Sequence, residues 1–188
     1  MSKQATDNSH IDQKVALRLT NLPDKEHIRV LDCFAGYGRV WDAVKRRSDK
    51  KIDVLAIEKR KLKERKSVYL CGDNMKFMQT FDLNVFDIID LDDYGFPYEQ
   101  LDMLFRRRYR GIVFITFGAT GGGELPHALL NELGYTNSMI SKIKLLFSRD
   151  PFKKVCQYLA KHGVVDVEYV KQSNVYYLKI DLDGNNGL

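Results

Sequence analysis

The chain has 188 residues, of which 44% are hydrophobic and 11% aromatic, which suits one globular domain with a full apolar core. No apolar run approaches the roughly 20 residues that span a bilayer, and the polar N-terminus lacks the apolar stretch of a secretory signal, so we expect neither a membrane protein nor a secreted one. The net charge is +5, but residues 45–66 hold eleven Lys and Arg against four acids, so the basic character is local.

Short apolar runs rich in β-branched residues alternate with helical patterns along most of the chain, which is typical of βαβ units and a mostly parallel sheet. Strands are predicted at residues 28–34, 52–57, 67–71, 85–91 and 111–117. Helices are predicted between them at residues 39–47, 59–66, 74–81 and 97–109, with further helical stretches near 125–132 and 138–147.

The C-terminal part of the chain predicts a helix followed by a hairpin. Asp150 is placed to cap the helix, Pro151 suits its first turn, and Gly163 follows its end. Two alternating runs, at residues 164–171 and 175–182, then predict two antiparallel strands. An antiparallel hairpin therefore follows the parallel part of the sheet.

These elements predict one domain over residues 15–183, preceded by a disordered arm at 1–14 and followed by a frayed tail at 184–188. Three cysteines without C-x-x-C spacing and four scattered histidines give no support for a metal site. Free cysteines in apolar runs behave as small hydrophobic residues, which favours a reducing, cytoplasmic location.

A glycine turn leads from the first predicted strand into the first predicted helix. Gly36 and Gly38 permit a tight turn and let a ligand approach the backbone. Ligands of open α/β sheets bind at the carboxyl ends of the strands, where this turn falls. Glu58, twenty residues beyond Gly38, ends the second strand and is placed to bind the two hydroxyls of a ribose. Asp73, followed by Asn74, ends the third strand and suits an adenine amine.

Two nucleoside cofactors compete for this turn. The NAD fingerprint requires a third glycine three residues after Gly38, where this chain has Trp41. The run D-x-F-A-G-x-G at residues 32–38 resembles motif I of the class I methyltransferases, particularly those that methylate amines of nucleic acids. Together with the two acids, the resemblance implies S-adenosylmethionine as cofactor, S-adenosylhomocysteine as product and no metal. The cofactor-binding residues so predicted are Asp32, Phe34, Ala35, Gly36, Gly38, Glu58, Asp73, Asn74 and Asp90. The alternative is a structural glycine turn with two surface acids.

The same resemblance implies the α/β fold of this class. That fold is Rossmann-like, with a seven-stranded, mostly parallel sheet, helices on both faces and a C-terminal antiparallel hairpin. Its seventh strand lies antiparallel beside the fifth. The predicted strands match it in number, order and ending.

A second glycine-rich loop follows the fifth predicted strand. Gly118 and Gly123 have the spacing of P-loop glycines, but Glu124 and Leu125 stand where a P-loop needs Lys and Ser or Thr. An acid at that place repels phosphate, so a nucleoside triphosphate site is excluded. We expect this loop to border the substrate pocket instead.

The fourth predicted strand ends in the segment F-D-I-I-D-L-D-D-Y-G-F-P, residues 86–97. This segment resembles motif IV of amino-methyltransferases, in the form D-x-D-P-F/Y-G-x-P of the tRNA guanine-N2 dimethyltransferases. The positions that match this form are Asp90, Asp92, Tyr94, Gly95 and Pro97. Asp93 replaces the proline of the motif. The resemblance covers residues 28–117 and does not extend to the substrate of that family.

Motif IV implies methyl transfer to an exocyclic base amine, which is a poor nucleophile because its lone pair is delocalised into the ring. A carboxylate and a neighbouring backbone carbonyl accept its two N–H bonds and direct the lone pair at the methyl group. Asp92 is the predicted catalytic carboxylate, which positions the amine and helps to remove its proton. Tyr94 is predicted to stack on the base. The alternative is a structural role, with Asp93 capping the helix that starts near Pro97.

Three basic clusters bear on the partner. Residues 59–66 follow the second strand toward the cofactor edge, whereas residues 45–51 and 106–110 precede strands and are expected at the opposite rim. Such clusters neutralise the phosphates of nucleic acids, although solvated helix ends explain them equally well. A nucleic acid is therefore one predicted substrate. The alternatives are a protein or small-molecule acceptor, and a non-catalytic module that binds a partner through its basic surface.

Overall fold

The computed structural model describes residues 10–65, 67–93, 95–118, 125–143 and 150–183. Within these ranges no helix is long and apolar enough to cross a membrane. The helices and strands follow one another in the order α1 (Ile11–Thr20), β1 (His27–Asp32), α2 (Arg39–Arg47), β2 (Lys51–Glu58), β3 (Leu70–Cys71), α3 (Asn74–Thr80), β4 (Ile88–Asp92), α4 (Tyr98–Arg106), β5 (Ile112–Gly118), α5 (His127–Glu132), α6 (Asn137–Lys142), α7 (Pro151–Lys161), β6 (Val167–Gln172) and β7 (Val175–Asp181).

The strands form a seven-stranded sheet with the order β3-β2-β1-β4-β5-β7-β6. β1 pairs in parallel with β2 and with β4, and β2 pairs in parallel with β3. β7 runs antiparallel to both β5 and β6. This topology confirms the predicted Rossmann-like methyltransferase fold, including the last strand beside the fifth.

The contacts divide the chain into two compact units, residues 1–90 and residues 91–188. In the first unit, β1 lies between β2 and β4. Parallel strands are normally covered on both faces and are therefore apolar along their whole length. The residues of β1 and β4 that are completely buried in this unit are Ile28, Val30, Leu31, Ile88 and Ile89.

The second unit contains the predicted hairpin. β5 pairs with β7 from Ile112, opposite Asp181, to Gly118, opposite Val175. β5 is buried along nearly its whole length, because its neighbour β7 continues the apolar layer. β6 lies at the edge of the sheet beside β7, and its side chains are exposed or half-buried.

The helix α7 begins and ends where the sequence predicts, but its cap differs. Pro151 is its first residue, where the fixed φ of proline suits a helix, and Gly163 follows its end with a φ of 82°. Asp150 occupies the N-cap position, yet its side chain accepts no capping hydrogen bond. The predicted capping role of Asp150 is therefore wrong.

The predicted helix at residues 59–66 is also wrong. Residues 59–65 form bends, turns and extended backbone, and Lys66 lies outside the described residues. The segment carries six Lys and Arg but only one apolar residue, Leu62. A helix there would have no apolar face to bury and would bring like charges together at neighbouring positions. The third strand is likewise shorter than predicted and comprises only Leu70–Cys71.

The N-terminal arm contains a helix that the sequence did not indicate. α1 begins at Ile11, inside the stretch 1–14 that was expected to be disordered, and residues 1–9 lie outside the described part. The buried side chains of α1 are Val15, Leu17 and Arg18. Its apolar face is short, so the pattern gave a weak helical signal. The tail at 184–188 lies outside the described part as well.

Tyr158 of α7 is completely buried in a cluster of aromatic side chains. Its ring makes edge contacts with Phe96 and Phe105, at centroid distances of 6.1 and 5.9 Å. Within the described ranges, its hydroxyl is a buried polar atom without a hydrogen-bond partner. Burial, and then the negative charge of Glu132, raise the pKa of Tyr158, so the hydroxyl stays protonated.

Replacing this residue, Tyr158→Phe, is expected to leave the free energy of unfolding unchanged or to raise it by about 1 kcal/mol, because a buried hydroxyl without a partner is costly. Urea denaturation measures the change. The matched control is Tyr98→Phe, which removes a hydroxyl that donates to Glu132 Oε1. The control is expected to lose about 1–2 kcal/mol. A clear loss of stability in Tyr158→Phe would show that its hydroxyl has a partner, such as a buried water.

Candidate cofactor site

The glycine turn, residues 33–38, connects β1 to α2. The backbone N–H of Ala35 donates to the carbonyl of Ile57 at 3.0 Å, which ties the turn to β2. Gly36 and Gly38 have φ values of 47° and 77°, in the left-handed region that favours glycine. A Cβ atom on Gly38 would lie 3.2 Å from Nη2 of Arg65. The backbone conformation therefore favours glycine at position 38, and a side chain there would also displace the guanidinium of Arg65.

Three predicted cofactor residues precede the glycines. Asp32 ends β1 and is buried, and its Oδ1 accepts from the backbone N–H of Phe34 at 3.4 Å. Phe34 is half-buried, and Ala35 is buried. The Asp32 carboxylate thus stabilises the backbone of the turn, and both lie in the first unit.

Glu58 ends β2 beside the glycine turn. Its Oε2 accepts from the backbone N–H of Gly36 at 3.0 Å, and its Oε1 accepts from the backbone N–H of Arg60 at 3.0 Å. The structure therefore brings together the acid and the turn that the sequence selected from positions twenty residues apart. Each carboxylate oxygen accepts one hydrogen bond from the backbone and keeps a further lone pair that could accept from a ligand.

Asp73 and Asn74 begin α3, directly after β3. Asp73 is exposed, and its Oδ1 caps the helix by accepting from the backbone N–H of Met75 at 2.9 Å. The Asn74 amide donates to the carbonyl of Cys33 at 2.9 Å. The start of α3 is therefore attached to the glycine turn, and three loops that follow parallel strands meet at one edge.

Asp90 lies in β4 and is only 1% exposed. Its two carboxylate oxygens accept from Nη2 and Nε of Arg18, each at 2.7 Å. Its Oδ2 also accepts from the indole N–H of Trp41 at 2.7 Å. Arg18, in α1, is likewise 1% exposed. This buried cluster joins α1, α2 and β4.

The predicted role of Asp90 in binding the cofactor is at odds with these contacts, because its carboxylate is enclosed by protein donors. The backbone carbonyl of Asp90 accepts from the N–H of Cys33 at 3.0 Å, so Asp90 contacts the glycine turn through its backbone. Burial, and then the charges of Asp32 and Asp90, raise the pKa of the Cys33 thiol well above its ordinary value. The thiol is therefore neutral and unreactive, as a small apolar group.

Two arginines at the site were missed by the sequence analysis. Arg18 stands in a helix whose pattern was weak, and nothing in the sequence pairs it with an acid 72 positions away. Arg65 was seen only as one charge of a basic cluster. In the structure its Nη1 donates to the carbonyl of Gly36. A lone cation in a long basic run gives no signal of such a contact.

The predicted catalytic residues follow Asp90 in the chain. Asp92 is the last residue of β4 and is half-buried. Tyr94 lies outside the described residues, so the structure gives it no position. α4 begins at Tyr98, and its N-cap residue, Pro97, has no side chain that can accept a capping hydrogen bond. The alternative in which Asp93 caps this helix stays a prediction.

Two of the basic clusters lie at opposite ends of β2. The last turn of α2 carries Lys45, Arg46 and Arg47, and Lys51 begins β2. Residues 59–65 follow the carboxyl end of β2, next to Glu58. Among the described residues, no group of three His, Cys, Asp or Glu side chains is placed to hold a metal ion.

The fold has counterparts among proteins of known structure. The chain is similar to precorrin-6y C5,15-methyltransferase from Geobacter metallireducens, with 15% identity over 96% of this chain and 91% of that one, and a TM-score of 0.55. It is similar to yhhF of Escherichia coli, named as a candidate methyltransferase, with 14% identity, coverage of 97% and 89%, and a TM-score of 0.55. The CurJ carbon methyltransferase matches with 13% identity, coverage of 90% and 54%, and a TM-score of 0.56.

These neighbours show that the chain has the fold of S-adenosylmethionine-dependent methyltransferases. At such low identity the likeness is one of fold. No protein-family model matches the sequence, and no curated protein matches it. The activity therefore has to be argued from the residues of the site.

Proposed function

We propose that this chain is an S-adenosylmethionine-dependent methyltransferase that methylates an exocyclic amine of a nucleic-acid base. The observation that carries the proposal is the pairing of Glu58 with the glycine turn, 3.0 Å from its Oε2 to the N–H of Gly36. A nucleoside bound at the carboxyl ends of β1 and β2 would meet an acceptor for its ribose hydroxyls and bare backbone at the glycines.

The residues present fit this cofactor. Glu58 would bind the ribose hydroxyls, Gly36 and Gly38 would allow close approach, and Asp73 with Asn74 would face the adenine. Positions 36 and 38 have no side chains of their own, so the cofactor could approach the backbone there once the guanidinium of Arg65 moves away. When bound, S-adenosylmethionine supplies a methyl group activated by its sulfonium.

Asp92 is the residue we propose for the amine. Its carboxylate would accept a hydrogen bond from the amine N–H, hold the lone pair toward the methyl carbon, and take up the proton that the nitrogen loses. The new N–C bond would form as the bond from sulfur to the methyl carbon breaks, and the sulfur would keep that electron pair as the thioether of S-adenosylhomocysteine. Most of the rate gain would come from this positioning. Tyr94, two residues further on, is proposed to stack on the base.

The basic residues at the cofactor edge support a nucleic-acid substrate. Lys59, Arg60, Lys61 and Lys63 follow Glu58 directly and are exposed or half-exposed. Exposed cations bind phosphates with an affinity that depends on salt rather than on sequence. A duplex base would have to be flipped out of its stack to reach Asp92.

A small-molecule or protein acceptor is the second candidate for the same chemistry. The name of the Geobacter neighbour describes methylation of a precorrin, so this fold also serves small molecules. Incubation with labelled S-adenosylmethionine and a cell extract, with and without nuclease, separates the two. Label transfer that survives nuclease would favour the second candidate.

The first test is calorimetric titration of the purified protein with S-adenosylhomocysteine. Micromolar binding is expected for the unchanged chain, and Glu58→Ala is expected to weaken it by at least about tenfold, because charge-assisted hydrogen bonds to the ribose are lost. The matched control is Glu64→Ala, which removes an exposed acid from the same segment and should bind normally.

Two outcomes would count against the enzyme. Folded protein that does not bind S-adenosylhomocysteine even at millimolar concentration would leave the fold as a binding module. Equal affinities of Glu58→Ala and the unchanged chain would remove Glu58 from the site. Thermal unfolding of each variant establishes that the protein is folded.

We also propose a cytoplasmic location. Cys33, Cys71 and Cys156 are all free thiols in the structure, which supports a reducing compartment. Cell fractionation tests the proposal, and recovery of the protein outside the cytoplasm would contradict it.

A further inference from the structure

Both polar backbone atoms of Gly36 are held by side chains of the chain itself. Glu58 accepts from its N–H, and Nη1 of Arg65 donates to its carbonyl oxygen at 2.5 Å. Arg65 is half-buried, although Glu64 and Ser67 on either side of it are exposed. Side chains of the chain therefore already occupy both polar backbone atoms of Gly36, in the turn on which we propose that the cofactor lies.

Arg65 is fixed in this position by several contacts. Its Nε donates to Oγ of Ser67 at 3.0 Å, and its Cζ lies 4.8 Å from the centroid of the Tyr69 ring. The hydroxyl of Tyr69 accepts from the backbone N–H of Leu62 at 2.7 Å. Residues 59–65 and 67–69, which we call the basic strap, thus carry Arg65 onto the glycine turn.

We propose that Arg65 is a latch on the cofactor site, and that nucleic-acid phosphates release it. The inference rests on the proposed function. The carbonyl of Gly36 can accept from the guanidinium of Arg65 or from a donor of the cofactor, such as its ammonium group or a ribose hydroxyl. The guanidinium lies over the turn, with its Nη2 3.2 Å from where a Cβ atom on Gly38 would be, and its positive charge repels the ammonium group of the cofactor. Arg65 and the cofactor therefore exclude each other there.

Phosphates are the chemical group best able to draw Arg65 away. Guanidinium binds phosphate through two parallel hydrogen bonds, which a single carbonyl cannot match. Lys59, Lys61 and Lys63 of the same strap are exposed and would attract the backbone of a nucleic acid. Substrate binding would then open the turn, and by linkage the cofactor would strengthen substrate binding by the same factor.

The test is calorimetric titration with S-adenosylhomocysteine, with and without a random-sequence single-stranded RNA oligonucleotide at low salt. In the unchanged chain, RNA is expected to raise the affinity for S-adenosylhomocysteine by about tenfold. This is the change expected if Arg65 occupies the turn in most molecules when RNA is absent. Arg65→Ala is expected to bind about tenfold more tightly than the unchanged chain without RNA and to gain nothing further from it. Ser67→Ala, which loosens the latch, should fall between the two.

The matched control is Lys63→Ala, which removes one charge from the strap without touching the glycine turn and should still respond to RNA. Weaker binding by Arg65→Ala would make Arg65 a cofactor ligand and overturn the latch. Equal affinity, or no effect of RNA on the unchanged chain, would overturn it as well. Folded protein that never binds S-adenosylhomocysteine would overturn the proposed function itself, which separates the two failures.

Discussion

Replacing Arg18 by alanine is expected to lower the free energy of unfolding by about 3–5 kcal/mol, because it leaves the Asp90 carboxylate buried without its cation. Both side chains are 1% exposed, and two hydrogen bonds of 2.7 Å join them. Urea denaturation measures the loss. The midpoint should fall far below that of the unchanged chain.

The informative companion is the double variant Arg18→Met with Asp90→Asn. It leaves no unpaired charge in the core, and the Asn side chain still offers an acceptor to the indole N–H of Trp41. Because a buried ion pair gains little over neutral groups that pack well, the double variant is expected to be more stable than Arg18→Ala alone. A double variant at least as unstable as Arg18→Ala would contradict this account of the cluster.

Replacing Asp92 by alanine is expected to reduce methyl transfer by about 10²–10⁴-fold while leaving the affinity for S-adenosylhomocysteine unchanged. Methyl transfer should fall without a change in cofactor affinity because Asp92 is proposed to contact the amine and not the cofactor. Transfer of labelled methyl from S-adenosylmethionine to a pool of cellular nucleic acids measures turnover, and calorimetry measures affinity.

Asp93→Asn is the matched control for this variant. It removes the neighbouring charge and keeps the size of the side chain, and Asp93 departs from the motif that Asp92 matches. Only a small change in turnover is expected. Full turnover in Asp92→Ala would remove its assigned role, and loss of cofactor affinity would place Asp92 in the cofactor site instead.

The order of the elements was predictable because burial imposes simple patterns on parallel strands. β1 and β4 are buried over most of their length, whereas β6 has no buried residue, and this difference in burial separates the central strands from the edge strand of the hairpin. The basic segment 59–66 misled the prediction, because its spacing between two strands suggested a helix while its composition cannot bury a face. The βαβ pattern predicted a helix between these two strands, although the basic composition of the segment does not favour one.

The residues of the candidate site also fall into two groups, those that the sequence indicates and those that it does not. Gly36, Gly38 and Glu58 were found because backbone conformation and strand ends constrain residue type locally. Arg65 and the Arg18–Asp90 pair could not be found, because each depends on a tertiary contact to which no local pattern points. Asp90 was misjudged for that reason: a motif match places a residue in a strand but does not say which donors surround it.

The ion pair between α1 and β4 also determines when α1 can become fixed during synthesis of the chain. Its partners are 72 positions apart, so at about 5–20 residues per second the ribosome needs roughly 4–14 s to produce Asp90 after Arg18. A ten-residue helix is marginal alone in water, so α1 has little to hold it during that interval. α1 is therefore fixed only after β4 has been made, and its arginine stays hydrated until then.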